Sequence, residues 1–373
     1  MTGTHASGPR IVFAAGGTGG HIYPALAVAQ AVRARRDDLD IAFLCSDRAI
    51  DARVMGATDE AWTPTDAKPF GVSPLALARF ITAWPRSLRA CRAALRDAEA
   101  LVVTGGFVSA PAAHAARLAR VPVLLLNLDA VPGKASRLVA RRAAERLTAA
   151  HSEATPGDWE RIPPVVRPAL LERVDAGAAR TTLGLDPDLP TLLVTGGSQG
   201  ARSLNEAVIA ALRERADLFA SWQVLHQAGE GSAFLDALDA AYADAGVHAR
   251  VVPFLERMDL AWASCDAVVT RAGAGAVAEA WATGTPALFL PYPFHADDHQ
   301  RVNASPLIEA SCALLVEDLV RAERTLPAFA RALERLLDAD TREAMRHAYT
   351  TLGPADGAQR VAQRVLRVVS GGT

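Results

Sequence analysis

Twice along this chain a short apolar run breaks into a cluster of glycines and then turns helical, and this repeat limits the possible folds more than any other feature. Ile11 to Ala15 leads into Gly16-Gly17-Thr18-Gly19-Gly20-His21, after which Pro24 opens an Ala-rich segment to about Arg35. Thr191 to Thr195 leads into Gly196-Gly197-Ser198-Gln199-Gly200, with a helix expected from Ala201. Strand, glycine turn, helix is the opening of a βα unit, in which glycine allows a sharp turn and close approach of a ligand or another backbone. Parallel strands need crossover helices, so two such openings predict an α/β chain with two Rossmann-like domains.

The segments between them keep the alternation. Ile41 to Cys45, Ala100 to Thr104 and the strongly apolar Val121 to Leu126 read as strands of the first sheet. Strands of the second are expected near Trp222 to His226, Ala249 to Val252, Ala267 to Thr270 and Pro286 to Leu290. From about His151 to Pro168 the pattern lapses into polar residues and prolines, the expected interdomain connection. The expected division is 1–165, then 166–345, with 346–373 a closing helix that packs back toward the N-terminal domain. Helices are expected at about Leu326 to Ala339 and Asp356 to Val369.

With 373 residues, half of them hydrophobic, and a formal net charge of −2, the chain can bury two ordinary cores and has no overall attraction to nucleic acid. Cys45, Cys91, Cys265 and Cys312 are scattered singly, which suits a reducing, cytoplasmic setting without disulfides. The polar N-terminal tail gives no signal peptide, and no apolar run is long enough to span a bilayer, so any meeting with a membrane is expected at its surface.

Several residues invite a chemical role. A dinucleotide fingerprint is unsuited to the first turn, because Ile22 takes the third glycine position and Asp47 comes too late. His21 follows the glycines directly and is expected in the first helical turn, either as a functional imidazole or as a packing residue. The stretch Arg271 to Gln300 reads as a small-residue turn, a helix carrying Glu279, a buried strand and a polar loop, the expected wall of a nucleotide-sugar pocket. Glu279 suits a vicinal diol, since a carboxylate accepts two hydrogen bonds. Arg167 suits a diphosphate. Three Asp-x-Asp triplets sit in polar turn-like contexts and read as solvated loops, so no metal site is expected. Leu77, Ile81, Trp84, Leu88, Cys91 and Leu95 form an amphipathic stripe interrupted by Pro85 and flanked by arginines. It reads as a core helix pair with a basic solvated face, with membrane docking as the alternative.

GGTGGHIYPALAVA at Gly16 to Ala29, GGFVSAPAAHAARL at Gly105 to Leu118, GGSQGARSLNEAV at Gly196 to Val208, HQAG at His226 to Gly229, and RAGAGAVAE with PYPFHADDHQ together resemble the MurG family. The likeness runs in order over nearly the whole chain. It implies a GT-B fold, two domains facing a cleft, and inverting transfer of N-acetylglucosamine from UDP-GlcNAc to an undecaprenyl-diphosphate-linked muramoyl pentapeptide. It also implies a metal-independent enzyme without cofactor, peripheral on the cytoplasmic side of the membrane and attracted to an anionic surface.

By the same resemblance Arg167, Gly197, Ser198 and Gln199 would hold the donor diphosphate. Leu255 would offer its backbone to the uracil, Glu279 would take the ribose hydroxyls, and His299 and Gln300 would approach the diphosphate and sugar. The turn Gly16 to His21 would face the acceptor, with Thr18, Gly19 and Gly20 counted among donor contacts, and Gly105, Gly106, Asn127 and Asn205 would meet the acceptor. His21 would be the base, with Asp129 the alternative. The chain departs from the family where H-E-Q-N becomes Leu126-Asn127-Leu128-Asp129, where G-N-P-V-R becomes Pro163-Pro164-Val165-Val166-Arg167, and at Ala110 after Ser109. The donor half therefore matches better than the acceptor half. A UDP-GlcNAc epimerase, a transferase for another lipid, and a non-catalytic nucleotide-sugar-binding protein remain compatible with the same motifs.

Overall fold

The computed structural model describes residues 8–197, 200–294 and 297–371. The chain divides into two compact units, one running to Pro168 and resuming at Asp356, the other spanning Ala169–Ala355. The first thus includes Arg167 and the last helix.

In the first unit the chain runs β1 (Arg10–Ala14), α1 (Gly19–Arg33), β2 (Asp40–Ser46), α2 (Ala49–Gly56), β3 (Ala61–Thr65), α3 (Pro74–Ala94), β4 (Ala98–Val103), α4 (Ser109–Ala119), β5 (Val123–Asn127), α5 (Lys134–Ala140), β6 (Glu145–Thr148) and β7 (Glu160–Arg161). Among the described residues the sheet is seven-stranded and parallel, in the order β3-β2-β1-β4-β5-β6-β7. The order reverses beside β1, so the turns after β1 and β4 are neighbours at the carboxyl edge. That crevice is where open α/β sheets place ligands. Val12, Ala14, Leu101, Val103 and Leu125 face one core with Ala112, Ala115 and Ala116 of α4. On β1 the alternate Phe13 stacks on Phe43 at 5.2 Å.

The second unit runs α6 (Ala176–Thr182), β8 (Thr191–Thr195), α7 (Arg202–Glu214), β9 (Gln223–Gln227), α8 (Leu235–Asp244), β10 (Ala249–Val252), α9 (Met258–Ser264), β11 (Ala267–Thr270), α10 (Ala274–Thr283), β12 (Ala287–Phe289), α11 (His299–Glu309), β13 (Ala313–Leu315), α12 (Ala322–Leu337) and α13 (Ala339–Tyr349). Its six-stranded parallel sheet has the order β10-β9-β8-β11-β12-β13 among the described residues. The order again reverses beside the strand that carries the glycine turn.

Three local expectations need correction. The helix after the first turn begins at Gly19, before Pro24, which lies inside α1 and forgoes only one bond toward Gly20. Pro85 likewise does not split α3 into a pair, because the buried residues on either side, Ala83 and Ser87, keep one continuous face and Ser87 Oγ donates to the Ala83 carbonyl. The stripe on α3 is not simply a core face. Phe70 and Val72 in the preceding loop are 60% and 91% exposed, and Ile81 is 59% exposed, with Leu75 and Leu77 exposed beside them. The apolar half is thus bare toward the N-terminus, while Cys91 and Leu95 are buried at the other end. The edge strand β3 escapes sequence reading because Ala61-Trp62-Thr63-Pro64-Thr65 is largely solvated and contains a proline, tolerated only at an edge.

The returning helix α14 (Gly357–Val369) lies against α1 and β4. Helix α1 is buried on nearly every face, including Ile22, Ala25, Leu26, Val28 and Val32, and so needs cover from both the sheet and α14. Val361, Ala362 and Val365 supply that cover, and Gly357 enters the helix so closely against the carbonyls of Pro163 and Pro164 that no side chain fits there. Replacing Val365 by Ala is expected to destabilise the first unit by on the order of 2 kcal/mol. Chemical denaturation followed in that unit should show an earlier transition, with the second unit's transition unmoved.

Candidate active site

In the first unit the site is built from the two turns at the centre of the sheet. Gly16 and Gly17 follow β1, and Gly105 and Gly106 follow β4. Gly106 has φ +75°, and a Cβ there would lie 2.5 Å from the Gly16 carbonyl oxygen and 3.2 Å from Cδ2 of His21. His21, in the first turn of α1, lies flat against this second turn. Its Nδ1 donates to the Thr104 carbonyl at 3.0 Å, and the Thr104 hydroxyl donates to the His21 carbonyl at 3.0 Å. A carbonyl can only accept, so the proton of the neutral ring sits on Nδ1 and Nε2 is the basic nitrogen. Burial lowers the pKa of His21 below its usual 6.5, opposed by the charge of Asp129, the Thr104 carbonyl and the charge of Asp51. The ring is therefore neutral at pH 7 and suited to accept a proton.

Four residues around this turn, Ser46, Arg48, Asp51 and Phe107, were not singled out from the sequence. Asp51 of α2 is fully buried, and its carboxylate accepts from Gly17 N–H at 2.8 and 3.1 Å and from Ser46 through both its N–H (2.8 Å) and its hydroxyl (2.6 Å). Arg48 donates to the Gly17 carbonyl at 2.9 Å while its guanidinium stacks 4.8 Å over the ring of Phe107. One signal was available for Asp51: it lies three and four residues before Val54 and Met55, on the apolar face of its helix.

Thr18 and Gly20 are exposed and Gly19 half-buried at the tip of the first turn. Arg167, expected at the start of the donor domain, belongs to the first unit, where its guanidinium lies 4.4 Å over the ring of Tyr23 on α1. Asp129 is half-buried at the end of β5, where its charge acts on His21. Asn127 is only 2% exposed, and its amide donates to the Asp129 carbonyl (2.6 Å) and to the Thr148 hydroxyl (3.0 Å). Its amide group shapes the bend that carries Asp129.

In the second unit, Gln227 and Thr195 clamp the turn after β8. Gln227 Nε2 donates to the Gly197 carbonyl at 3.0 Å, and Gly197 N–H donates to the Thr195 hydroxyl at 3.1 Å. Ser198 and Gln199, expected at the diphosphate, lie outside the described residues, as do His295 and Ala296. Gly200 abuts the backbone of Ala228 and Gly229 with no space for a side chain. Asn205 requires a correction. It is 1% exposed, donates to the Ala228 carbonyl (3.0 Å), and accepts at Oδ1 from His226 Nε2 (3.1 Å), so it is an internal strut buried away from any acceptor. His226 Nδ1 in turn accepts from the Tyr242 hydroxyl at 2.9 Å. The HQAG segment thus supports the glycine turn from beneath.

The carboxylate of Glu279, half-buried on α10, accepts from the Trp262 indole N–H at 2.9 Å, which fixes one oxygen. Leu255 is buried after β10, and Gln300 accepts at Oε1 from the backbone N–H of Tyr292 (2.9 Å), fastening the polar loop to the start of α11. His299 Nδ1 lies 2.8 Å from Asp297, and that contact holds the Asp297 carboxyl below the usual range. Beneath this loop is an ion pair that sequence reading passed over. Arg271 Nη1 donates to Asp318 (2.7 Å) and to the carbonyls of Leu290 (2.9 Å) and Pro291, and Nη2 donates to the Ser203 hydroxyl (2.8 Å), which donates to Asp318. One guanidinium joins the ends of β11 and β12, the first turn of α7 and the loop after β13.

Residues 11–148 match the glycosyltransferase family 28 N-terminal domain and residues 191–361 the family's C-terminal domain. A relative from Nocardioides sp. is 38% identical over 370 residues, covering 96% of this chain and 98% of its own. One from Corynebacterium jeikeium is 35% identical over 364 residues, covering 95% of each chain. Both are named UDP-N-acetylglucosamine--N-acetylmuramyl-(pentapeptide) pyrophosphoryl-undecaprenol N-acetylglucosamine transferase. The crystal structure of Acinetobacter baumannii MurG aligns with a TM-score of 0.70 at 26% identity, over 96% of this chain and 99% of that one. The chain belongs to the MurG family. Its two parallel-sheet Rossmann-like units are those of the GT-B glycosyltransferases, as the fold likeness to the calicheamicin glycosyltransferase CalG4 also shows (TM-score 0.65, 18% identity). No helix among the described residues is long and apolar enough to cross a membrane.

Burial drives the pKa of His226 down to about 3. The unfolded chain binds a proton near 6.5 and the folded one does not, so stability is fully present above about pH 6.5 and falls as pH drops from there toward 3. The thermal midpoint of the second unit should fall between pH 7.5 and pH 5. In His226→Gln that slope should flatten, at the cost of a lower midpoint at neutral pH.

Proposed function

We propose that the chain transfers N-acetylglucosamine from UDP-N-acetylglucosamine to a lipid-linked diphosphate-bearing muramoyl pentapeptide, with inversion at the anomeric carbon. The observation that carries this reading is His21, whose Nδ1 is committed to Thr104 and whose Nε2 is left basic, in a family whose relatives bear that transferase name over almost their full length. The acceptor hydroxyl attacks the anomeric carbon from the face opposite UDP, and Nε2 takes the hydroxyl proton as the new C–O bond forms. The bond to UDP breaks with its electron pair on the β-phosphate oxygen. The leaving charge is met by protein groups in place of a metal, with Arg167 assigned to the diphosphate. Glu279, oriented by Trp262, takes the ribose hydroxyls. Asp129 keeps the alternative role of base, and the Leu126 to Asp129 segment supports a second reading, transfer to a different lipid. Buried Leu126 and Leu128 stand there where the family carries polar side chains.

The protein works at the cytoplasmic membrane surface. Exposed Phe70, Val72, Leu75 and Ile81 form an apolar patch beside exposed Arg79, Arg86, Arg89 and Arg92, a composition suited to the headgroups of an anionic bilayer.

Three measurements test these statements. UDP release from UDP-N-acetylglucosamine should require the muramoyl lipid; release with diacylglycerol alone would move the acceptor assignment. His21→Ala should lower kcat by about a hundred- to ten-thousand-fold with donor affinity kept, and kcat/KM of the unaltered protein should rise with pH to a plateau through a value below 6.5. Near-normal transfer by His21→Ala would remove the base assignment. Co-sedimentation should be strong with anionic vesicles and weak with neutral ones or at high salt, and Ile81→Ser with Phe70→Ser should release the protein.

A further inference from the structure

The two glycine turns are clamped by groups of different charge. Beneath the second turn the partners are neutral, the Gln227 amide and the Thr195 hydroxyl. Beneath the first lies Asp51, a carboxylate with no exposure to water that accepts from Gly17 and from both donors of Ser46. The fit leaves no slack, since a Cβ on Gly16 would lie 2.6 Å from the Asp51 oxygen and 2.7 Å from Ser46 N. Arg48 and Phe107 close the turn from the other side, Arg48 through the Gly17 carbonyl and Phe107 with its ring 2.5 Å from where a Gly17 Cβ would stand.

Two consequences follow from this arrangement. The Gly17 N–H points at a carboxylate, and the negative charge occupies the N-terminal end of α1, where an anionic ligand would otherwise be favoured. The Gly17 N–H is therefore spent on Asp51 and is not offered to a ligand. The same bonds fix the chain immediately before α1, and His21 is in the first turn of that helix, four residues beyond Gly17.

We propose that Asp51 is a positioning residue for the transfer: it locks the Gly16-Gly17 turn so that α1 starts in the one place where His21 reaches the Thr104 carbonyl through Nδ1. The proposal rests on His21 being the base. Asp51 touches no reacting atom and acts through the turn and through its charge on His21.

The test uses the full chain carrying Asp51→Asn, assayed for UDP release and for equilibrium binding of UDP. Gly17 N–H, Ser46 N–H and the Ser46 hydroxyl all reach Oδ2, so an asparagine oxygen placed there keeps those contacts, but its NH2 then faces the Gly17 N–H that also reaches Oδ1 at 3.1 Å, donor against donor, and the negative charge is gone. The expected result is a kcat at least tenfold lower, with KM for UDP-N-acetylglucosamine and UDP affinity within about twofold. Because Asp51 and Asp129 both face His21 and raise its pKa, removing one charge should also move the acid limb of kcat/KM to lower pH. Unchanged kcat, or a loss that appears as weakened UDP binding, overturns the proposal. Should Asp51→Asn fail to fold, Ser46→Ala carries the test, with a smaller fall in kcat that Ser46→Thr restores; wild-type kcat in Ser46→Ala is then the overturning result. An inactive His21→Ala beside a fully active Asp51→Asn sinks this proposal alone, whereas an active His21→Ala removes the base assignment beneath it.

Discussion

Backbone contact without side chains is the constraint on which both units depend. In the first, Gly106 lets its turn settle onto the Gly16 carbonyl, so that the loops after β1 and β4 meet main chain to main chain. In the second, Gly200 does the same against Ala228 and Gly229. A methyl group at either contact would need the turns to separate, and the side chains resting on them would shift too. His21 in one unit and the Asn205 strut in the other are placed by that closeness.

Such tight turns need their polar groups satisfied internally, and the protein does this with buried charge as well as neutral groups. Asp51 answers the donors around the first turn, and the Arg271–Asp318 pair answers the carbonyls of Leu290 and Pro291 and the Ser203 hydroxyl. A buried ion pair adds little net stability against an apolar replacement, but losing one partner costs about 3–5 kcal/mol because a lone charge stays in the interior. Arg271 therefore acts mainly on geometry: it joins loops from four places in the sequence and leaves them little freedom.

The architecture was legible because its signals are local. Apolar runs ending in glycine, followed by Ala-rich segments, give away strand, turn and helix, and β10 and β11 fall where the periodicity puts them. Edge strands were less so, since Ala61 to Thr65 and Glu160 to Arg161 carry too little apolar surface to stand out from loops. At the site, His21 and Glu279 were visible as polar residues beside small ones. Their partners were not, because the Thr104 carbonyl is main chain and Trp262 lies 17 residues from Glu279. Asn205 misled for a related reason: a conspicuous amide after a glycine motif reads as a ligand contact, and nothing in the spacing reveals that His226 and Ala228 already occupy it.

The path of the chain through the two units bears on how the protein is made. The second unit is one uninterrupted segment, but the first is completed only by α14, after Asp356. During synthesis the sheet carrying the first glycine turn emerges early and waits, with one side of α1 uncovered, until nearly 200 further residues have been added. The later-made unit can finish folding on its own before the earlier one can. The apolar surface of α1 is thus open to chaperones or to misassociation during that interval.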